Sequence, residues 1–383
     1  MALVGAGLVS LPALMQAEEK ASSVMTAVSS TTLSGYVDTS AQWNFGTGNA
    51  RLPDYKFGGP SKADGFNFNV VQLRIEKPLD EAEWAAGYRV DLWAGPDANT
   101  LGTQSTLSSG SSDFAIRQAY VALRAPVGNG LDFKVGVFDS IIGYESVEAG
   151  NNPNYTRSYG HTIEPQTHTG VLTTYRFNDM ISASAGIADT VGKAINGRAN
   201  PPKAESFKTY MGSLALTAPE SMGFLAGSTL YGGIVNGFSD SYVENQTSYY
   251  AGATVATPVK GLRLGASFDY LAIHDLDGET WAVGCYASYQ ATEKLSLHVR
   301  GEYLRDRGEQ KFFVDGVGAT NPDKVLGVTG TIQYDLWKNV LSRLELRWDH
   351  SLTGDGIWGG TNPDANGTLK NEVLMLANIT YKF

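Results

Sequence analysis

The feature that most constrains this chain is a period of two, repeated along most of its length. In "LRLGASFDY", Leu262, Leu264, Ala266, Phe268 and Tyr270 share one face, and Arg263, Ser267 and Asp269 share the other. "LSLHVRGEY" sets Leu295, Leu297, Val299 and Tyr303 against Ser296, His298, Arg300 and Glu302. "LSRLELRWDH" sets Leu344, Leu346 and Trp348 against Arg343, Glu345, Arg347 and Asp349. The last segment, "NEVLMLANITYKF", puts Val373, Met375, Ala377, Ile379, Tyr381 and Phe383 opposite Asn378, Thr380 and Lys382. This alternation makes strands. They run about nine to eleven residues, the length that crosses a bilayer at a tilt, where soluble strands average about five or six.

The links between these strands narrow the architecture further. About sixteen strands are legible, and the links after even-numbered ones are short, whereas most of those after odd-numbered ones are long. "PLDEAE", "APVGNG", "FNDM", "APESMG", "TPVKG", "ATEK" and "WKN" are the short set. The long set includes 45–65, 94–113, 139–168, 190–208, 306–323 and 351–370, and only the link at Asp277-Gly278 departs from the alternation. Tight turns on one side and long loops on the other describe an up-and-down antiparallel transmembrane β-barrel. In lipid every backbone donor needs a partner, so such a sheet closes on itself. Phe383 then falls in the interfacial aromatic girdle. A terminal aromatic on an alternating strand also resembles the signal by which outer-membrane proteins are recognised for insertion by the barrel-assembly machinery.

Composition excludes several classes. Of 383 residues, 29 are Lys or Arg and 39 are Asp or Glu, so the net charge is -10 and clustered phosphate-binding cations are lacking. Nucleic acid is therefore not an expected partner. One cysteine, Cys285, excludes an intrachain disulfide and a cysteine-rich zinc site. The five histidines show no metal-ligand spacing, and neither a P-loop nor a G-x-S-x-G elbow is present. No metal, cofactor or enzymatic activity is expected. "HDLDGET" (274–280) reads as an Asp-Gly hairpin turn rather than a calcium loop.

Residues 1–17, "MALVGAGLVSLPALMQA", resemble the apolar core and cleavage site of a signal peptide without its basic start, with cutting expected after Ala17. Residues 18–32 are then a short periplasmic segment and 33–383 the barrel.

The link from Asp139 to His168 is polar, aromatic and too long for a plain turn. Together with "RQAYVAL" (117–123), the stretches "GVFDSIIGYES" and "NPNYTRSYGHTIEPQTHTGV" resemble the outer-membrane β-barrel porin family described as outer-membrane-protein-L-like. The match covers roughly 115–175, with "SGYVDTSAQWN" (34–44) and the last strand consistent at the ends. The resemblance implies a porin-like barrel and no particular solute. By analogy with sixteen-stranded general porins, the 139–168 loop, between strands five and six, folds inward and narrows the pore. Tyr144, Glu145, Glu148, Tyr155, Arg157, His161 and Glu164 are then the constriction candidates. The three acids would face a basic wall from Arg74, Arg89 and Arg117, setting up a transverse field. A loop packed on the outer rim is the alternative.

By parity the lumen wall also carries Arg263, Arg300, Glu302, Arg343 and Arg347. Inward charge is tolerable only where the interior is wet or the charges pair, and alternating sign suggests pairing across neighbouring strands. Parity changes near Val70–Val71, which suggests a bulge, and Arg117 can face either way. The chain reads as a bacterial outer-membrane porin for passive diffusion of small hydrophilic solutes or ions, bedded in outer-membrane lipid, with a homotrimer by analogy. The rivals are an anchor or adhesion barrel with a plugged lumen, an outer-membrane hydrolase and, on structural grounds, a soluble exported sandwich.

Overall fold

A computed structural model describes residues 30–46, 48–104, 112–199, 206–239, 244–309, 323–353, 356–362 and 367–383. The expected signal segment and nearly all of the 18–32 segment lie outside the described residues. The strands are β1 Thr32–Phe45, β2 Gly65–Lys77, β3 Ala86–Ala94, β4 Phe114–Ala125, β5 Leu131–Asp139 and β6 Thr167–Arg176. There follow β7 Ile181–Ala188, β8 Thr209–Thr217, β9 Thr229–Phe238, β10 Asn245–Ala256 and β11 Leu262–Ile273. The set ends with β12 Gly278–Gln290, β13 Leu295–Gly308, β14 Lys324–Trp337, β15 Val340–Ser351 and β16 Asn371–Lys382. Each pairs antiparallel with its sequence neighbours, and β1 pairs with β16, so the barrel closes.

Register confirms the alternation read from sequence. Opposite Arg300 on β13 stand Tyr286 on β12 and Thr329 on β14, all facing in. Leu297, Val299, Ile332, Leu344 and Leu346 face out and are exposed, as lipid contact requires. The outer surface carries aromatic contacts near the long-loop rim: Trp43 meets Phe66 edge-on at 6.0 Å, and Trp281 lies 5.3 Å from Tyr303. Cys285 is exposed on the same outward face as Leu264 and Leu297.

Three local details differ from, or sharpen, the pattern. The β1–β2 register shifts between Asp38 and Thr39, leaving Asn69 as the bulged residue beside Val70. A second shift, between Asp91 and Leu92, falls at Arg117 and turns its side chain inward. That is why parity could not fix its direction. The link 239–244 is a second short one on the long-loop side, because β9 runs on to Phe238.

Candidate functional site

The segment 140–166 leaves β5 and meets inward side chains around most of the ring. Near its start, the Tyr144 ring stacks on Tyr286 at 4.0 Å and 19°. Gly265 makes that approach possible, since a Cβ there would sit 1.8 Å from the Tyr144 hydroxyl. Glu145 accepts a hydrogen bond from Arg300 at 2.9 Å. The chain next reaches β2–β4, where Glu148 accepts from Arg74 and lies 3.4 Å from Arg117 and 3.6 Å from Arg89. It then turns to β14–β16. Arg343 donates to the carbonyls of Ala149 and Asn152 at 3.0 and 3.1 Å, and Lys382 donates to that of Gly150 at 2.9 Å. In a ring of sixteen strands, β13 and β14 lie opposite β5 and β6. A segment that starts and ends at β5 and β6 and bonds to β13–β16 must cross the lumen.

Two buried carboxylates hold the crossing. Glu345 on β15 accepts the backbone N–H of Tyr155 at 2.6 Å and of Thr156 at 2.9 Å, with the hydroxyls of Thr156 and Thr331. Glu302 on β13 accepts the N–H of Tyr159 at 2.7 Å and the Arg300 Nε–H at 3.0 Å. Arg347 bonds Asp349 through two nitrogens and donates to the Arg157 carbonyl at 2.7 Å. Arg300 and Arg347 are both 0% exposed, so these charges have exchanged water for ionic and amide partners.

The loop also braces itself. Arg157 donates to the carbonyls of Ser146, Tyr155 and Val147, closing the segment into a compact knot. Ser158 caps the short helix Tyr159–Ile163 by accepting the His161 N–H. Both ring nitrogens of His161 are buried, and burial pushes its pKa well below the usual imidazole value. Glu164 does not meet an arginine. Its carboxyl is buried beside Asp269 of β11 and lies 3.8 Å from His161, and burial, reinforced by the Asp269 charge, raises its pKa well above the carboxylate range. Glu148 is shifted the other way: the Arg117 and Arg74 guanidiniums outweigh the cost of burial and hold its pKa low.

Sequence reading missed one participant. The first long link also turns inward, and Tyr55, Lys56 and Phe57 pack onto the crossing loop. The Lys56 N–H donates to the Thr162 hydroxyl at 3.0 Å. The Arg347 guanidinium lies 3.9 Å from the centre of the Tyr55 ring, and Arg157 lies 5.2 Å from that of Phe57. An aromatic-basic triplet within a polar link is the one signal that marked it.

The acids and the basic wall are therefore not separated by open lumen, as the sequence reading expected. Glu145 and Glu148 touch arginines directly, and Glu164 sits with another acid. Contact buries inward residues on both sides of the ring: on β5–β10, Phe138, Leu172, Met211, Val235 and Tyr250 pack with Ile142 of the loop. On β11–β16 and β1, inward residues such as Asp269, Arg300, Thr331, Arg343, Leu376 and Asp38 are buried. Towards the short-turn ends of β2–β8, Arg74, Arg89, Lys134, Thr174, Ser184 and Ser213 keep partial exposure. Arg263, on β11 below the loop, is exposed. His298 faces inward and meets Ser288 at 2.9 Å, so the lipid-facing Ser-His pair a surface hydrolase needs is not formed by it.

A closed sixteen-strand barrel with lipid-facing apolar residues and an internal loop defines a porin-type outer-membrane channel. The chain belongs to the family described as "Putative beta-barrel porin-2, OmpL-like", whose model matches residues 30–383. Comparison with curated proteins returns no match. Among solved structures, it is similar to the outer membrane channel DcaP of Acinetobacter baumannii (13% identity, TM-score 0.59, 92% of this chain and 97% of that one). It is also similar to the anion-selective porin from Comamonas acidovorans (13%, 0.58, 92% and 99%). The trimer form of OmpT of Vibrio cholerae aligns too (12%, 0.56, 92% and 99%). At these identities the likeness is one of fold.

Proposed function

We propose that the chain is a passive diffusion porin whose 140–166 loop sets the constriction. The family and fold are those of an outer-membrane channel, and the observation that carries the finer reading is the loop's span, from Glu148 at Arg74 to Tyr155 at Glu345. A segment bonded to both sides of the lumen cannot swing to the rim without breaking buried ionic contacts. Solutes pass the loop along the inner wall that stays partly exposed, where Arg74, Arg89 and Lys134 lie. No energy input is involved; width and wall charge select. A homotrimer fits the same reading, since a porin-type neighbour is described in a trimer form.

Single-channel recording of the purified protein in a planar bilayer tests this. Stepwise ohmic openings support it, and larger steps after deletion of 146–157 from a folded barrel place the constriction in the loop. A folded barrel that never conducts would favour the plugged anchor barrel instead. The inward residues buried against the loop on both sides of the ring give that second reading its support.

A further inference from the structure

We infer that the conduit passes small anions in preference to cations, an inference that rests on the pore reading above. The chain as a whole is acidic, at -10, which alone would suggest the reverse. What an ion meets, however, is the charge that water reaches. Exposed charges more than about 10 Å away are largely screened at 0.1 M salt.

The acids of the lumen are mostly out of reach. Asp91 is fully buried behind Arg74, Arg89 and Arg117, which all bond it. Glu145, Glu302, Glu345 and Asp349 are buried against arginines or backbone amides. The partly wet face carries both signs, with more cations than acids along the whole inner wall. The side chains of Arg74 and Arg89 remain 20% and 18% exposed. Lys134 is partly exposed and rests 4.9 Å from the Tyr120 ring centre. Arg176 on β6 and Arg263 on β11 are exposed nearer the short-turn rim. Against them stand Glu148 at Arg74, Glu76 and Asp139 with side chains 27% and 39% exposed, the latter bonded to Arg117 at 2.7 Å, and exposed Asp335 near the short-turn rim. Arg124 and Asp132 at the same rim cancel as a pair at 2.5 Å.

The sorting is physical. Paired charges offset each other, so Arg74, Arg89, Arg117 and Lys134 are matched by Asp91, Glu148, Glu76 and Asp139, and the surplus positive charge is that of exposed Arg176 and Arg263. That surplus offers a counter-charge to inorganic anions and small carboxylates, and the partly exposed Arg74, Arg89 and Lys134 supply donors farther along the wall.

The test is the zero-current potential across a planar bilayer in a KCl gradient, using the whole mature protein. The expected sign is that of chloride permeation. Lys134→Glu should move the potential toward the potassium value, and Lys134→Arg should leave it in place. Arg263→Glu, at an exposed residue away from the loop contacts, gives a second shift in the same direction if Lys134→Glu fails to fold. A potassium-side potential in the wild type, or potentials unmoved by both glutamate substitutions, overturns the inference while leaving the pore intact. Absence of any steps from folded protein overturns the pore reading and this inference with it.

Discussion

Arg300 and Glu145 are 155 residues apart in sequence and meet at 2.9 Å inside the barrel. The same guanidinium donates to Glu302 at 3.0 Å and to the Thr156 carbonyl at 2.6 Å. One strand side chain thus holds both the outgoing and the returning parts of the crossing loop. Removing a single member of a buried ionic cluster costs about 3–5 kcal/mol, because the partners remain charged and dry. Arg300→Ala is expected to free the loop within a barrel that still assembles. Open-channel noise and proteolytic nicking within 140–166 should both rise, and Arg300→Lys should fall between, since a lysine cannot serve all three acceptors in one plane.

Glu345 offers a cleaner contrast of shape with charge. It accepts two backbone N–H groups, the Thr156 hydroxyl and the Thr331 hydroxyl, and is 1% exposed. Glu345→Gln keeps the length but turns one acceptor into a donor facing N–H groups. Hydrogen bonds to a charged group contribute about 1.5–3 kcal/mol each, so loss of part of this set should lower the unfolding midpoint measured by the heat-modifiable gel shift. Thr331→Val, which removes one donor and no charge, should have a smaller effect. Equal effects would mean that the carboxylate does not anchor the loop.

The barrel itself was legible because lipid imposes a rule on every second residue. Val299 and Leu346 must face out, whatever the rest of the chain does. Arg117 was not, because a bulge resets parity and depends on the partner strand. The crossing of the loop entered by analogy, yet its contacts follow from no local pattern. That Glu148 meets Arg74 whereas Glu164 meets Asp269 depends on how a polar knot packs across some dozen strands' worth of wall. Tyr55 and Phe57 were passed over for the same reason, since a link of mixed residues has no period from which burial can be read.

The terminal phenylalanine has a definite seat. Gly35 and Phe383 exchange two backbone hydrogen bonds, at 2.9 and 3.0 Å, which complete the seam between the first and last strands. A Cβ at Gly35 would lie 2.7 Å from the Phe383 ring and 2.1 Å from the Gln72 carbonyl. Gly35→Leu is therefore expected to displace the ring and loosen the seam, and the yield of heat-modifiable barrel in membranes should drop. Phe383→Ala keeps the backbone bonds and loses only the ring. If both variants assemble like the wild type, the seam does not depend on this contact.

Glu164 gives the loop a pH dependence of definite sign. Its folded pKa is raised by burial and then by the Asp269 charge, whereas in an unfolded chain a glutamate titrates near about 4.3. The folded state therefore holds the proton over a range where the unfolded state has released it. Stability from this group is complete below about pH 4.3 and is lost as pH rises through the raised folded value. His161 and Lys56 work in the opposite sense, because burial lowers the pKa of each and the folded state binds their protons less readily. The difference between wild type and Glu164→Gln separates the acid from these two. An amide cannot ionise, so the variant should gain stability relative to the wild type as pH is raised, read as urea midpoints of the heat-modifiable form across a pH series. A difference that stays flat, or that falls with rising pH, would mean that Glu164 carries its charge in the folded loop.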